Sequence, residues 1–483
     1  QNQKRDTRHR LEFNIIVIKW IFQKILYLYK IMINNQEIID RIRDIYTTTS
    51  SSQLRNQIAI HFDTKKTDNE RTEFGEVPTP PQPIDNMLNK IPCHIWNVVQ
   101  PVYEPCCGKG NFVIAIFDKF YEGLSLQYPD IEERCKTIMT KCIYYADISA
   151  INVFITTEIM KCHIQTYCGV DELDYKFNKY VGDTLEINTN EIFNINIEDF
   201  VVIGNPPYAT NPSKQNTKPL YDKFIMKYIN SKILMFIIPS KWFIGGKGLD
   251  QFRKFMLKRK DIVFIEHEND ATKLFGNSVD IEGGINYFMK DSSYNGYCKF
   301  NDIDYDLSKY DCILEPKYHK LIDKFIVHEK ITNIYKSSGY FKVRTNDKRL
   351  RNEGKIKVFV SKQKSSSRTK YINEISIPEN FWKVITARAN GKKNEFGFKG
   401  ISTPDEIYTD SYFSFRVNNR KEAESLISYL DTKFTNYIMS IMKISQDISE
   451  KTCRYIPIVP LDRIWNDNSV CEYFKIKRED LIY

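Results

Sequence analysis

The stretch Phe200-Val201-Val202-Ile203-Gly204-Asn205-Pro206-Pro207-Tyr208 constrains the fold more than any other in the chain. Its first four residues are apolar and mostly β-branched, the pattern of a strand buried on both faces of a parallel sheet. Gly204 ends that pattern, and Pro206 and Pro207 forbid its return, because neither has a backbone N–H to give a neighbouring strand. The chain therefore turns a stiff corner, with a carboxamide before the two rings and the flat face of Tyr208 after them. Read alone, Asn-Pro-Pro is first of all turn punctuation. Only its surroundings give it a chemical reading.

Those surroundings repeat one theme. Pro101-Val102-Tyr103-Glu104-Pro105-Cys106-Cys107-Gly108-Lys109-Gly110-Asn111-Phe112 runs into the apolar pattern VIAIF: strand, tight glycine loop, helix, as in a nucleotide-binding βα turn. Position 113 is Val, so the third glycine of a dinucleotide fingerprint is missing, and no GK[ST] marks a pyrophosphate site. Glu104 stands at the strand end, where a carboxylate can hold a ligand's ammonium group. Cys142 to Ile148 is a second short strand ending in Asp147; an acid there in a doubly wound sheet bonds ribose hydroxyls, or else caps a helix. Tyr180-Val181-Gly182-Asp183-Thr184-Leu185 is a third, and its carboxylate can accept from an adenine amino group. Upstream, residues 74–83 (FGEVPTPPQP) lead into the helical IDNMLNKI, so Thr79 reads either as helix-start chemistry or as a loop residue reaching a small ligand.

Spacing ties these pieces together. The 97 residues from Gly108 to Asn205 hold three βα units at roughly 30 residues each. All four loops then fall at the carboxyl edge of one parallel sheet, where such folds bind ligands. Further strands are expected at Ile233–Pro239, Ile262–Ile265 and 283–289, with a helix at 220–225 between the fourth and fifth. At such an edge the Asn205 corner has a use. An exocyclic amine of a nucleobase is a poor nucleophile because its lone pair is delocalised into the ring. The Asn205 side-chain oxygen and the Pro206 carbonyl can each accept one of its N–H bonds, while Tyr208 stacks on a base flipped out of the duplex.

The chain's charge is uneven. The net charge is +9, yet residues 336–399 alone hold 17 Lys and Arg against 5 Asp and Glu, interleaved with Tyr340, Phe341, Phe359, Tyr371, Phe381 and Trp382. A basic segment with aromatics suits a nucleic acid; a solvated charged face is the plainer alternative. Arg420 to Ile444 reads as one amphipathic helix, with a shorter helical stretch in the tail. The 11 cysteines form no CxxC pair and the seven histidines no cluster, which fits reduced thiols in a cytoplasmic protein and predicts no metal. Residues 11–33 are interrupted by Lys19, Gln23, Lys24 and Lys30 and no cleavage site follows, so neither a membrane span nor a signal peptide is expected. The first methionine is Met32, so residues 1–31 read as an upstream extension, or as an amphipathic surface helix.

With these pieces in order, the sequence resembles the gamma-class adenine-N6 methyltransferases of type II restriction-modification systems. VPTPPQPIDNML is similar to motif X of that family, YEPCCGKGNF to motif I, ADIS to motif II and GDTL to motif III. IGNPPY resembles the catalytic motif IV, LYDKFI motif V and LMFIIPSKWF motif VI, so the likeness spans roughly residues 70–290. Cys106-Cys107 stands where the family more often has a small residue before its Cys, and the segment joining motifs I and II is long. The resemblance implies an α/β fold: a doubly wound Rossmann-like methyltransferase sheet with a C-terminal mixed α+β target-recognition domain. It divides the chain into 1–31, a methyltransferase domain at 32–300, a recognition domain at 301–419 and a helical remainder at 420–483. It implies S-adenosylmethionine as cofactor and adenine N6 in double-stranded DNA as acceptor, with Asn205, Pro206, Pro207 and Tyr208 catalytic. Thr79, Glu104, Gly108 and Gly110 would hold the methionine half, Asp147 the ribose and Asp183 the adenine. Cys106, Phe112, Ile148, Thr184 and Leu185 belong to the same cofactor-binding loops. No Asp…Glu-x-Lys nuclease signature stands out, so a cognate restriction endonuclease is expected, if anywhere, on a separate chain. Asn-Pro-Pro-Tyr also occurs in methyltransferases of release-factor glutamine and ribosomal-RNA guanine; a non-catalytic DNA-binding module is a further alternative.

Overall fold

The computed structural model describes residues 35–63, 78–170, 173–210, 218–245, 248–276, 281, 283–363, 366–375, 381–391, 395–443 and 446–481. The expected upstream extension, 1–31, lies outside them. The chain forms two compact units, one comprising residues up to Trp242 with Gly246–Lys309, the other Phe243–Gly245 with Tyr310–Tyr483.

The first unit is built on a nine-stranded sheet of order β3-β2-β1-β4-β5-β7-β6-β8-β9. Its strands are β1 (Val102–Glu104), β2 (Ile143–Asp147), β3 (Asn178–Val181), β4 (Val201–Gly204), β5 (Ile233–Pro239), β6 (Ile262–Glu268), β7 (Ile285–Asp291), β8 (Cys298–Phe300) and β9 (Ile303–Tyr305). β1 to β5 are mutually parallel, with Val102 opposite both Ile143 and Val201. β7 runs antiparallel between β5 and β6. Every residue of β1, β2, β4 and β5 is buried, as continuous apolar runs covered on both faces require. β3, at the edge, alternates half-buried and exposed residues. All seven expected strands form, and β8 and β9, too short to carry a period, are additions.

The core of this unit joins the helix Asn111–Gly123, rich in buried Val, Ile and Phe, to the helix Ala150–Cys168 and to Ile42, Ile45, Leu54 and Ile58 of two N-terminal helices. Those two helices are separated by two residues, 49 and 50, within the Ser/Thr run at 47–52. The long segment between the glycine loop and β2 is explained by a second helix, Ile131–Thr137, whose cap Asp130 accepts from Glu133 N at 2.8 Å, followed by one π turn over Ile138–Cys142.

The second unit holds two small sheets, β10-β16-β13-β14 and β12-β11-β15. Here β10 is Tyr335–Lys336, β11 Ile356–Gln363, β12 Ser366–Ile372, β13 Trp382–Ala387, β14 Lys399–Ser402, β15 Ile407–Tyr408 and β16 Tyr412–Val417. The single helix expected from 420 to 444 is two: Arg420–Leu430 and Lys433–Met442. Thr432 breaks the run because its side chain caps the second helix, accepting from Thr435 N. Phe341, Phe359 and Phe381 are buried, the first two in a core with Val358, Ile385 and Tyr408, so these aromatics of the basic segment pack the domain rather than face solvent.

Candidate functional site

In an open parallel sheet the strand order reverses at one place, and the crevice there is left uncovered by helices. Here that place is the carboxyl edge between β1 and β4. A small cleft opens at it, lined by Thr79, Glu104, Cys106, Gly108, Phe112 and Asn205 among others. Residues from three separate stretches of sequence are therefore brought together as expected. Asp147 and Ile148 stand at the end of the adjacent β2, and Asp183 follows β3, outside the cleft lining.

The glycine loop is shaped by its backbone. Gly108 and Gly110 have φ of 51° and 87°, a left-handed conformation that disfavours a Cβ. A Cβ on Gly110 would also stand 3.1 Å from the Thr156 side chain. Cys107 N donates to Ala146 O at 2.9 Å, fastening the loop to β2, and the Thr156 hydroxyl donates to Gly108 O at 3.1 Å. Asp147 adds to this fastening. Its Oδ2 accepts from Gly108 N at 3.0 Å, and its Oδ1 from Ser149 N at 2.8 Å and Asn152 Nδ2 at 3.2 Å. Lys109 is buried and donates to Asn152 Oδ1 at 2.5 Å. Asp147 thus braces the loop whatever else it contacts. Ile148, next to it, is 56% exposed, a large apolar side chain left uncovered at the sheet edge.

Glu104 is the electrostatic centre of the cleft. It is 2% exposed, and its Oε2 has no hydrogen-bond partner among the described residues. Burial raises its carboxyl well above the usual carboxylate range, and the nearby Asp147 adds to the effect. A buried carboxylate without a partner is costly and favours a cationic ligand. In the next strand Gly204 lies against it: a Cβ there would be in ordinary van der Waals contact with Glu104 Cγ and Oε1 at 3.5 Å.

Asn205 follows directly. Its Nδ2 donates to Thr79 Oγ1 at 3.0 Å, and Thr79 O accepts from Asn111 Nδ2 at 3.1 Å. Pro206 is buried, while Pro207 and Tyr208 are half-buried. Burial pushes the Tyr208 phenol up. After β3, Asp183 is exposed and its Oδ1 accepts from Leu185 N at 2.9 Å. Thr184 is buried, its carbonyl accepting from Tyr228 Oη at 2.6 Å. Asn111, Asn152 and Thr156 were not singled out by sequence; only the position of Asn111 at the first turn of a helix behind a glycine loop marks it.

Residues 141–275 match the model of the Eco57I restriction-modification methylase family. An "uncharacterized adenine-specific methylase" of Mycoplasma pneumoniae is 30% identical over 158 residues, 29% of this chain and 36% of that protein. The chain therefore spans about a third of this curated relative. Among solved structures, a DrdV–DNA complex shares the fold at 12% identity with a TM-score of 0.52, covering 86% of this chain and 59% of that one. The ATP-dependent Type ISP restriction-modification enzyme LlaBIII bound to DNA aligns with a TM-score of 0.52 and 12% identity over 84% of this chain and 41% of that one. The segment that is similar to this family carries the second, third and fourth of the loops at the carboxyl edge of the sheet.

Proposed function

We propose that this protein transfers a methyl group from S-adenosylmethionine to the N6 amine of an adenine flipped out of duplex DNA. The observation that carries the proposal is the juxtaposition at the switch point. A buried carboxylate oxygen on Glu104, without a hydrogen-bond partner among the described residues, lies at the end of the strand beside the one that delivers Asn205-Pro206-Pro207-Tyr208. The residues fit the cofactor. Glu104 offers the charge that an ammonium group needs, and Gly108 and Gly110 let the backbone approach closely. Thr79, Cys106 and Phe112 line the same cleft. Asp147 stands at the end of the adjacent strand, where the reading puts the ribose, Ile148 offers an apolar face, and Asp183, Thr184 and Leu185 flank the next strand end. When bound, S-adenosylmethionine supplies an electrophilic methyl on a sulfonium.

The chain's own part is to hold the amine. The Asn205 oxygen and Pro206 carbonyl accept its two N–H bonds, drawing the nitrogen toward a tetrahedral shape with its lone pair aimed at the methyl. Tyr208 offers the base a face to stack on. The exposed basic residues of the second unit contact DNA phosphates. Incubation with methyl-labelled cofactor and duplex DNA, ribosomal RNA or a release factor tests the reading. Label is expected on adenine in DNA, and label confined to RNA or protein overturns it.

A further inference from the structure

We propose that Asn152 is a positioning residue for the Asp147 carboxylate, and that it acts as a bridge from the buried ammonium of Lys109. The inference rests on the reading that Asp147 meets the ribose of the cofactor, and it adds what holds that carboxylate in place.

Lys109, Asn152 and Asp147 are all buried, none more than 8% exposed, so bulk water competes little for the bonds between them. Lys109 Nζ donates to Asn152 Oδ1 at 2.5 Å, and Asn152 Nδ2 donates to Asp147 Oδ1 at 3.2 Å. The chemistry of the two ends leaves the carboxamide one orientation. An ammonium can only donate, so it faces the oxygen; a carboxylate can only accept, so it faces the nitrogen. A half-turn of the group would set NH2 against the ammonium and oxygen against the carboxylate, two repulsive contacts in place of two bonds. The other donors to Asp147 described above, Gly108 N and Ser149 N, belong to the backbone. Asn152 is the side chain of the three, and its N–H is polarised by the cation at the far end of the amide. The bridge runs from the glycine loop, where Lys109 lies between Gly108 and Gly110, to the first turn of the helix Ala150–Cys168, and back to the end of β2. It also brings positive charge to a place where Asp147 lies close enough to Glu104 to raise its carboxyl.

Nucleoside binding to the full chain separates this role from general support of the fold. Adenosine carries the 2′- and 3′-hydroxyls and 2′,3′-dideoxyadenosine lacks them, so the ratio of their Kd values, measured by calorimetry, reads the ribose contact. In the parent, adenosine is expected to bind at least about ten-fold tighter, the order of one hydrogen bond to a charged group. Asn152→Leu keeps the bulk and removes both bonds, and the ratio is expected to fall to within about two-fold as that contact is lost. This variant strands the Lys109 ammonium, so the double variant Lys109→Met, Asn152→Leu is measured beside it. The double variant is expected to melt higher than the single one and to show the same lost ratio. A residue that only supports the fold would weaken both nucleosides together and leave the ratio as in the parent, which would overturn the proposal. A parent that holds the two nucleosides equally would instead remove the ribose reading of Asp147, and this role with it. A ratio that collapses in both variants of a protein that never methylates DNA would sink the proposed activity while leaving the positioning role standing.

Discussion

At the scale of single residues, Asn205 and Glu104 divide the work. Asn205 acts on the amine, so Asn205→Ala should cost turnover and spare cofactor affinity. By analogy with losing one pre-aimed polar group at a reacting centre, the expected fall in kcat is roughly 10²–10³-fold. Single-turnover kinetics with calorimetric cofactor binding checks this, and an equal collapse of cofactor affinity would make Asn205 a structural residue. Glu104 acts on charge. Its carboxyl is raised by burial and by Asp147, so folding favours the protonated form: nothing is lost at low pH, and a penalty grows as pH rises from the unfolded-state pKa through the raised folded-state pKa. Glu104→Gln removes that penalty. The variant should melt higher than the parent near neutral pH and converge with it in acid. It should also bind cofactor about 30-fold more weakly, the loss of one charge-assisted bond of about 2 kcal/mol. In the parent, affinity for an ammonium-bearing ligand should rise with pH until the free Glu104 is ionised, then level off. A flat profile in both proteins would detach Glu104 from the ligand.

At the scale of elements, the glycine loop shows what the sequence discloses and what it withholds. Strand, glycines and helix were legible from Val102 to Phe117 because burial on both faces leaves continuous apolar runs, and because backbone turns of this kind disfavour a Cβ. The strand ends carrying Glu104, Asp147 and Asn205 were legible for the same reason, whereas the strand before Asp183 lies at the sheet edge and has no such run. Sheet order was not: nothing in 262–291 tells that β7 enters antiparallel between β5 and β6. The partners of Asp147 were also hidden, since Gly108, Ser149 and Asn152 meet it only after β1 and β2 pair. The Thr432 break escaped notice because the apolar period continues unbroken through a capping residue. A prediction follows at this scale. Gly110→Ala places a Cβ at φ 87°, 3.1 Å from the Thr156 side chain. The left-handed backbone alone costs about 1–2 kcal/mol, so chemical denaturation should show at least that loss. An unaltered midpoint would mean the loop adopts another conformation.

At the scale of the whole molecule the question is which of its charges are available to a polyanion. Segment 336–399 holds 17 basic residues, but several are committed within their own unit. Lys383 is buried, donates to the carbonyls of Thr403 at 2.5 Å and Glu406 at 2.8 Å, and is held down to about 8 by burial. Lys357 pairs with Glu406 at 2.9 Å, Lys399 with Asp431 at 2.7 Å, Arg349 with Asp347 at 2.8 Å and Arg388 with Asp447 at 3.0 Å. Lys342, Arg344, Lys348, Arg351, Lys355 and Arg368 are exposed. Each phosphate contact contributes about 0.9 to the slope of log affinity against log salt. Replacing Lys342, Arg344 and Lys348 together by Gln should therefore lower that slope by up to about 2.7 on duplex DNA without moving the melting temperature. Lys383→Gln is the counterpart: it removes one formal charge from the same segment, yet it should leave the slope unchanged and destabilise the fold by about 1–3 kcal/mol, because the carbonyls of Thr403 and Glu406 lose a buried donor. If the slope instead falls with Lys383 and holds with the exposed three, composition rather than surface geometry governs binding, and the phosphate contacts lie elsewhere in the chain.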